Sequence, residues 1–172
     1  MWKQVAGAAV LTCAVLSVAG CGSAGGPSAA PRSSVPAVPA QAVAIGRCGS
    51  VSDADIARAT GLTGVQQVAA NPMRCSWDAG TGADYAVIFQ WFRGVSLPDR
   101  RGQVTLGTPS TVQVAGRPGM LWSGAKACEI AVASGGNDFI DWILTGSGLE
   151  PARPQGCSDL EQLAADTLAK VG

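Results

Sequence analysis

The sequence predicts an α+β domain: a curved antiparallel sheet of about six strands, with an N-terminal and a C-terminal helix packed on it. Three observations lead there. Short runs rich in β-branched and aromatic residues alternate with Gly-rich turns through the second half of the chain. Capping-box patterns stand only at the two ends of that region, at Ser52 and Ser158. Four cysteines, Cys48, Cys75, Cys128 and Cys157, are spread across it as an even set.

The chain begins with a different kind of segment. Residues 1–21, MWKQVAGAAVLTCAVLSVAGC, carry a single Lys3 and then run uncharged from Val5 to Gly20. That run is short for a membrane span, which needs about twenty apolar residues, and suits the apolar region of a secretory signal. Val18-Ala19-Gly20-Cys21 has the lipobox pattern of an aliphatic residue, two small residues and cysteine. The small residues suit a narrow peptidase cleft, and the Cys21 thiol is the nucleophile that accepts a diacylglyceryl group. An ordinary signal peptide that happens to hold Cys21 is the competing reading. The expectation is a signal peptide over 1–20 and a palmitate-bearing anchor on Cys21. That anchor would hold the exported protein on the outer face of the cell membrane.

Residues 21–46 are expected to be a disordered tether. Gly22 to Gly46 is built from Gly, Ala, Ser, Pro and Val, with Arg32 its only charge and no helical or strand period. Its mean reach is about 25–30 Å. Ser28, Ser33 and Ser34 are compositional candidates for glycosylation.

The globular domain is expected over 47–172, about 126 residues, a usual size for one self-sufficient unit. It holds all 12 acids and ten of the 12 bases, a net charge of about −2. Its four cysteines allow three pairings, and sequence order favours Cys48–Cys75 with Cys128–Cys157. A four-cysteine zinc site is the rival. Spacings of 27, 53 and 29 residues lack the CxxC knuckles such a site uses.

Ser52 caps the first helix, Asp55 completes its capping box, Val51 can staple onto Ile56, and Gly61 ends it. Residues 74–78 and 84–92 flank a Gly-rich turn, 111–115 and 119–122 flank Gly116-Arg117-Pro118, and 128–133 and 139–144 flank a third turn. Val65 to Val68 reads as a weak additional strand. The last helix starts at Ser158 with Glu161 as its partner. Leu160, Leu163, Ala164, Thr167, Leu168 and Val171 then form one stripe.

Composition removes several function classes. No histidine is present, which excludes His-based triads, the Cys–His pair and the HExxH zinc site. Twelve basic against 12 acidic residues leaves no basic surface for nucleic acid. No cofactor or metal motif is found.

Ser123-Gly124-Ala125-Lys126 matches Ser-x-x-Lys, but Gly124 and the preceding strand argue against the helix that pair needs. Asp138 with Asp141, or Asp53 with Asp55, form carboxylate pairs of the kind used in glycoside hydrolysis or metal binding. Asp53 and Asp55 are better explained by the helix N-terminus, Asp138 by a turn and Asp141 by an exposed strand face. Alternation puts Phe89 and Trp91 on one face of their strand and Phe92 on the other. Most aromatics belong to the core. Trp91, Trp122 and Trp142 are the candidates for lining a groove for an acyl chain, sugar or peptide. Arg93, Arg100 and Arg101 surround the Ser96-Leu97-Pro98-Asp99 loop as candidate contacts for anionic head groups or a partner's carboxylates, with a solvated loop as the competing reading.

The ordered set resembles a known family. The lipobox and tether lead to Cys48-Gly49-Ser50-Val51-Ser52-Asp53, then Cys75-Ser76-Trp77 and Gln90-Trp91-Phe92-Arg93-Gly94. Cys128-Glu129-Ile130, Asp138-Phe139-Ile140-Asp141-Trp142 and the Cys157 helix follow. It is similar to the LprB/LppP-like lipoproteins of mycobacteria and other actinomycetes, built on a domain of unknown function. The resemblance implies envelope attachment and two disulfides, and supplies no catalytic residue. The expected function is a non-enzymatic binding or accessory module for an envelope protein, lipid or glycan. A carrier enclosing a hydrophobic ligand is the alternative, and a hydrolase the third reading.

Overall fold

The computed structural model describes residues 43–147 and 157–171. The expected signal peptide, Cys21 and the tether as far as residue 42 lie outside the described residues. Ile45, assigned to the tether on composition, is buried in the core, so the fold starts before Arg47.

Seven strands form one sheet, one more than the six expected. They are β1 (Gln66–Ala70), β2 (Arg74–Ala79), β3 (Tyr85–Phe92), β4 (Ser110–Val114), β5 (Arg117–Ser123), β6 (Ala127–Gly135) and β7 (Asp138–Gly146). Their spatial order is β1-β2-β3-β7-β6-β5-β4, and every neighbouring pair is antiparallel. Two meanders, β1–β3 and β4–β7, therefore lie side by side along β3 and β7. The extra strand is β1, an edge strand that is mostly exposed. With little to bury it carries little hydrophobic alternation, and its pairing with β2 defines it.

Three helices accompany the sheet: α1 (Asp53–Thr60), α2 (Leu97–Arg101) and α3 (Asp159–Ala169). At α1 the Ser52 hydroxyl accepts from the Asp55 N–H, and the Asp55 carboxylate accepts from the Ser52 N–H. Val51 and Ile56 are both buried in the core, as a staple requires, and Gly61 closes the helix at φ 67°. Ser52→Ala should lower stability by about 1 kcal/mol, read as a small drop in Tm with an unchanged fold. At α3 the expected capping box does not form. Ser158 already has helical backbone angles and makes no side-chain cap bond, whereas a capping hydroxyl needs an extended residue. The Cys128–Cys157 disulfide, one residue earlier, fixes the entry instead.

The second expected turn is shorter than its sequence implied. Ala115 and Gly116, at φ 50° and 75°, make a two-residue turn of the primed kind that matches strand twist. Arg117 and Pro118 open β5, where they pair with Val114 and Gln113. Pro118 precedes the first β5–β6 pair, Gly119 with Val132, so its missing N–H breaks no ladder bond on that side.

The main core lies between the sheet and α1 with α3. Trp77, Phe89 and Trp142 meet there, with ring centroids 5.7 Å apart for Trp77–Trp142 and 4.9 Å for Phe89–Trp142. Both indoles are satisfied: Trp77 Nε1 donates to Asp53 Oδ1 at 2.9 Å, and Trp142 Nε1 to Thr167 Oγ1 at 3.1 Å. Gly49 is held by this packing as well as by its φ of 68°. A Cβ there would come within 3.0 Å of Thr167 Oγ1 and 3.2 Å of Phe89. On the opposite face Trp122, Ala131 and Phe139 form a second, smaller core. Phe92, Val95, Leu97, Val104 and Leu106 pack against it, several of them from the β3–β4 crossover that includes α2.

Candidate functional site

Two features carry polar chemistry. The first is buried in the second face. Strand alternation aims Glu129 of β6 and Asp141 of β7 at the same face, and Arg100 of α2 lies against both. Arg100 Nη2 is 2.7 Å from Asp141 Oδ2 and 2.8 Å from Glu129 Oε1, and Arg100 Nε donates to Glu129 Oε1 at 3.0 Å. Its guanidinium also sits 5.0 Å from the Phe92 ring centroid, and Phe92 stacks on Phe139 at 4.6 Å. Asp141 is fully buried and Glu129 is 5% exposed.

Removal from water raises the Asp141 pKa to about 8. The neighbouring Glu129 charge pushes the same way, and Arg100 opposes both. Burial likewise raises Glu129, against the pull of Arg100. Burial thus favours the protonated form at both carboxyls, and a proton on one of them leaves one carboxylate balancing one guanidinium in a neutral cluster. A lone buried charge would be costly.

The second feature is at the surface. A cleft with a volume of about 290 Å³ lies at the end of β3 and is lined by Gln90, Trp91, Phe92, Arg93 and Val95. Met73 of the β1–β2 turn and Arg74, the first residue of β2, complete its lining. That turn is locally specified. Asn71 Oδ1 accepts from the N–H groups of Met73 at 3.0 Å and Arg74 at 2.7 Å, and Trp91 N–H donates to Met73 O at 3.0 Å. Met73 is thus held out at 44% exposure. Arg93 stacks over the Trp91 ring at 4.9 Å, and the next residue turns at Gly94 (φ 68°), whose N–H donates to Asp138 Oδ1 at 2.8 Å.

Of the expected contact residues, Trp91 and Arg93 meet in this cleft. Trp122 and Trp142 are fully buried, on opposite faces of the sheet, and line no open groove. Arg100 is not in a solvated loop: the segment forms α2, with Pro98 in its first turn, and its guanidinium is buried against two acids. Arg101, beside it, is exposed.

Asp141 is not on an exposed face either. Its face of the sheet is covered by the crossover, which its sequence surroundings do not reveal. Its partner is Glu129 rather than Asp138, since positions three apart on a strand point to opposite faces. Ser123 ends β5 and Lys126 follows a turn, so that pair shares no helix. Glu129, Met73, Arg74 and Gln90 were missed. One signal was available for Glu129: an acid stands inside the apolar run of each strand of the β6–β7 hairpin, at Glu129 and Asp141.

Among the described residues no cluster of His, Cys, Asp or Glu could hold a metal ion, and no helix is long and apolar enough to cross a membrane. The geometry defines a disulfide-bonded α+β domain with a sealed core and a small surface cleft. The chain belongs to the family described as protein of unknown function (DUF3558), whose model matches residues 16–170.

It is similar to the protein named "Putative lipoprotein LprB" in Mycobacterium bovis, at 28% identity over 88% of this chain and 87% of the relative. The protein of that name in Mycobacterium tuberculosis gives the same figures. In Mycobacterium leprae the identity is 27%, over 72% of this chain and 69% of the relative. No solved structure matches.

Proposed function

We propose that the protein is a lipid-anchored, non-enzymatic module of the cell envelope, engaging an envelope component through the cleft beside Trp91. The observation that carries this reading is that both faces of the sheet are filled, Trp77, Phe89 and Trp142 on the helix-covered side and Trp122 and Phe139 on the other. The cleft at the end of β3, where Arg93 stacks over half-buried Trp91, is left open to solvent. That filling also argues against a carrier holding its ligand between helices and sheet. A hydrolase would need a carboxylate that substrate can reach, and Asp141 and Glu129 lie under Arg100. The lipobox ending at Cys21 and the lipoprotein names of the relatives support the anchor.

Metabolic labelling with a lipid precursor tests the anchor directly. Wild type should incorporate label and fractionate with membranes, and Cys21→Ala should lose both. Label retained in Cys21→Ala would overturn the reading.

A further inference from the structure

We propose that the cleft docks on an anionic phospholipid surface, with Arg74 and Arg93 meeting headgroup phosphates and Met73 entering the acyl boundary. This rests on the anchored reading above.

Charge is the first argument. Among the described residues neither Arg74 nor Arg93 forms an ion pair, and no acid lines the cleft, although the domain as a whole is acidic. The local excess of two cations therefore selects an anionic occupant. Cations at an anionic bilayer surface each strengthen partitioning several-fold, and two together roughly 30-fold.

The apolar component is the second. Met73 and Val68 are the exposed large hydrophobic side chains among the described residues, and Met73 sits beside Arg74 on a turn that Asn71 holds rigid. An apolar tip flanked by arginines whose stems can lie along it suits the interface between headgroups and acyl chains.

Chain entry is the third. The segment arriving from the expected tether is pinned to this same end of the sheet. Arg47 Nη2 donates to Ala70 O at 3.4 Å, at the end of β1, and the Cys48–Cys75 disulfide joins the entry to the residue after Arg74. A chain arriving from upstream thus joins the domain at the cleft's end. A protein partner is less well matched, because a stable protein interface needs about 800 Å² per side and this cleft is small.

The test uses the full-length lipidated protein in phosphatidylcholine vesicles with and without phosphatidylglycerol, the acyl chains brominated near the headgroup. Trp77, Trp122 and Trp142 are fully buried, so Trp91 is the tryptophan among the described residues that bromine can reach, and Trp91→Phe provides the blank. Flotation is measured on the same samples. We expect protein in the floated fraction in both lipids, with Trp91 quenching at least twofold stronger in the anionic vesicles. That excess should vanish in Arg74→Ala/Arg93→Ala, whose exposed side chains leave the fold intact.

Flotation without quenching would overturn bilayer docking and leave a protein partner for the cleft. Equal quenching in both lipids would overturn headgroup recognition. Failure to float would overturn the anchor itself, and the docking with it.

Discussion

Replacing Arg100 with Met should destabilise the domain by about 3–5 kcal/mol at neutral pH, among the largest effects of any single substitution. Met keeps the apolar stem over Phe92 and removes the guanidinium. Glu129 and Asp141 then remain side by side, buried, with no cation to balance the charge that neutral pH leaves on them. The loss should shrink on acidification, since protonating both carboxyls removes the uncompensated charge. Urea unfolding at pH 5 and pH 8 measures both parts. A penalty independent of pH would mean that Arg100 contributes packing and not charge.

The wild type should show the related signature with a defined sign. Burial raises the folded-state pKa of Asp141 to about 8, far above an unfolded aspartate near 4. The fold therefore favours the protonated carboxyl. The contribution of Asp141 is fully present below about pH 4, declines as the pH rises through 8, and is flat above that. Asp141→Asn keeps the shape of the side chain and cannot ionise. Its stability relative to wild type should rise between pH 5 and pH 8, which melting curves across that range would follow. A constant difference would mean that Asp141 does not titrate there.

The sheet and the triad differ in how far they could be read from sequence, and the reason is physical. Trp77 and Phe89 follow the two-residue alternation of their strands, Trp142 lies in an apolar run bounded by turns, and caps and turns carry local chemistry, so most of the sheet and the entrance of α1 were legible. Apart from the α3 capping box and the length of the second turn, the errors concern interactions set by distant parts of the chain. Arg100 lies 29 residues from Glu129 and 41 from Asp141 in sequence, and no local pattern says that the crossover folds back over β6 and β7. A loop of Ser, Leu, Pro and Asp with arginines behind it has the composition of a solvated surface, and tertiary packing turned it into a lid on the second core. The cleft was half legible. Trp91 and Arg93 stood out as an aromatic and a cation in a turn, whereas Met73 and Arg74 join them only through the β2–β3 register.

Breaking both disulfides should unfold the domain at physiological temperature. Cys48–Cys75 and Cys128–Cys157 span 27 and 29 residues, and in the chain-entropy model each loop is worth about 3–4 kcal/mol. Together they match much of the roughly 5–15 kcal/mol that holds an ordinary domain. Cys48, Cys75 and Cys128 are buried, so a reductant acts only when the structure opens, and its slow action would understate the dependence. Replacing all four cysteines with alanine avoids that delay. The readout is intrinsic: three fully buried tryptophans emit to the blue while the core is closed and shift to the red when water enters. A four-alanine protein that kept blue emission and a cooperative melt would show that the hydrophobic core suffices alone. The separate pairs should differ in kind. Losing Cys128–Cys157 frees the entrance of α3, the helix that supplies Thr167 to Trp142, so the main core loosens. Losing Cys48–Cys75 frees the chain's entry from the cleft's end of the sheet and leaves α3 in place. If the fold needs both bonds, it matures only where thiols are oxidised, which is the condition that the proposed export to the cell envelope would supply.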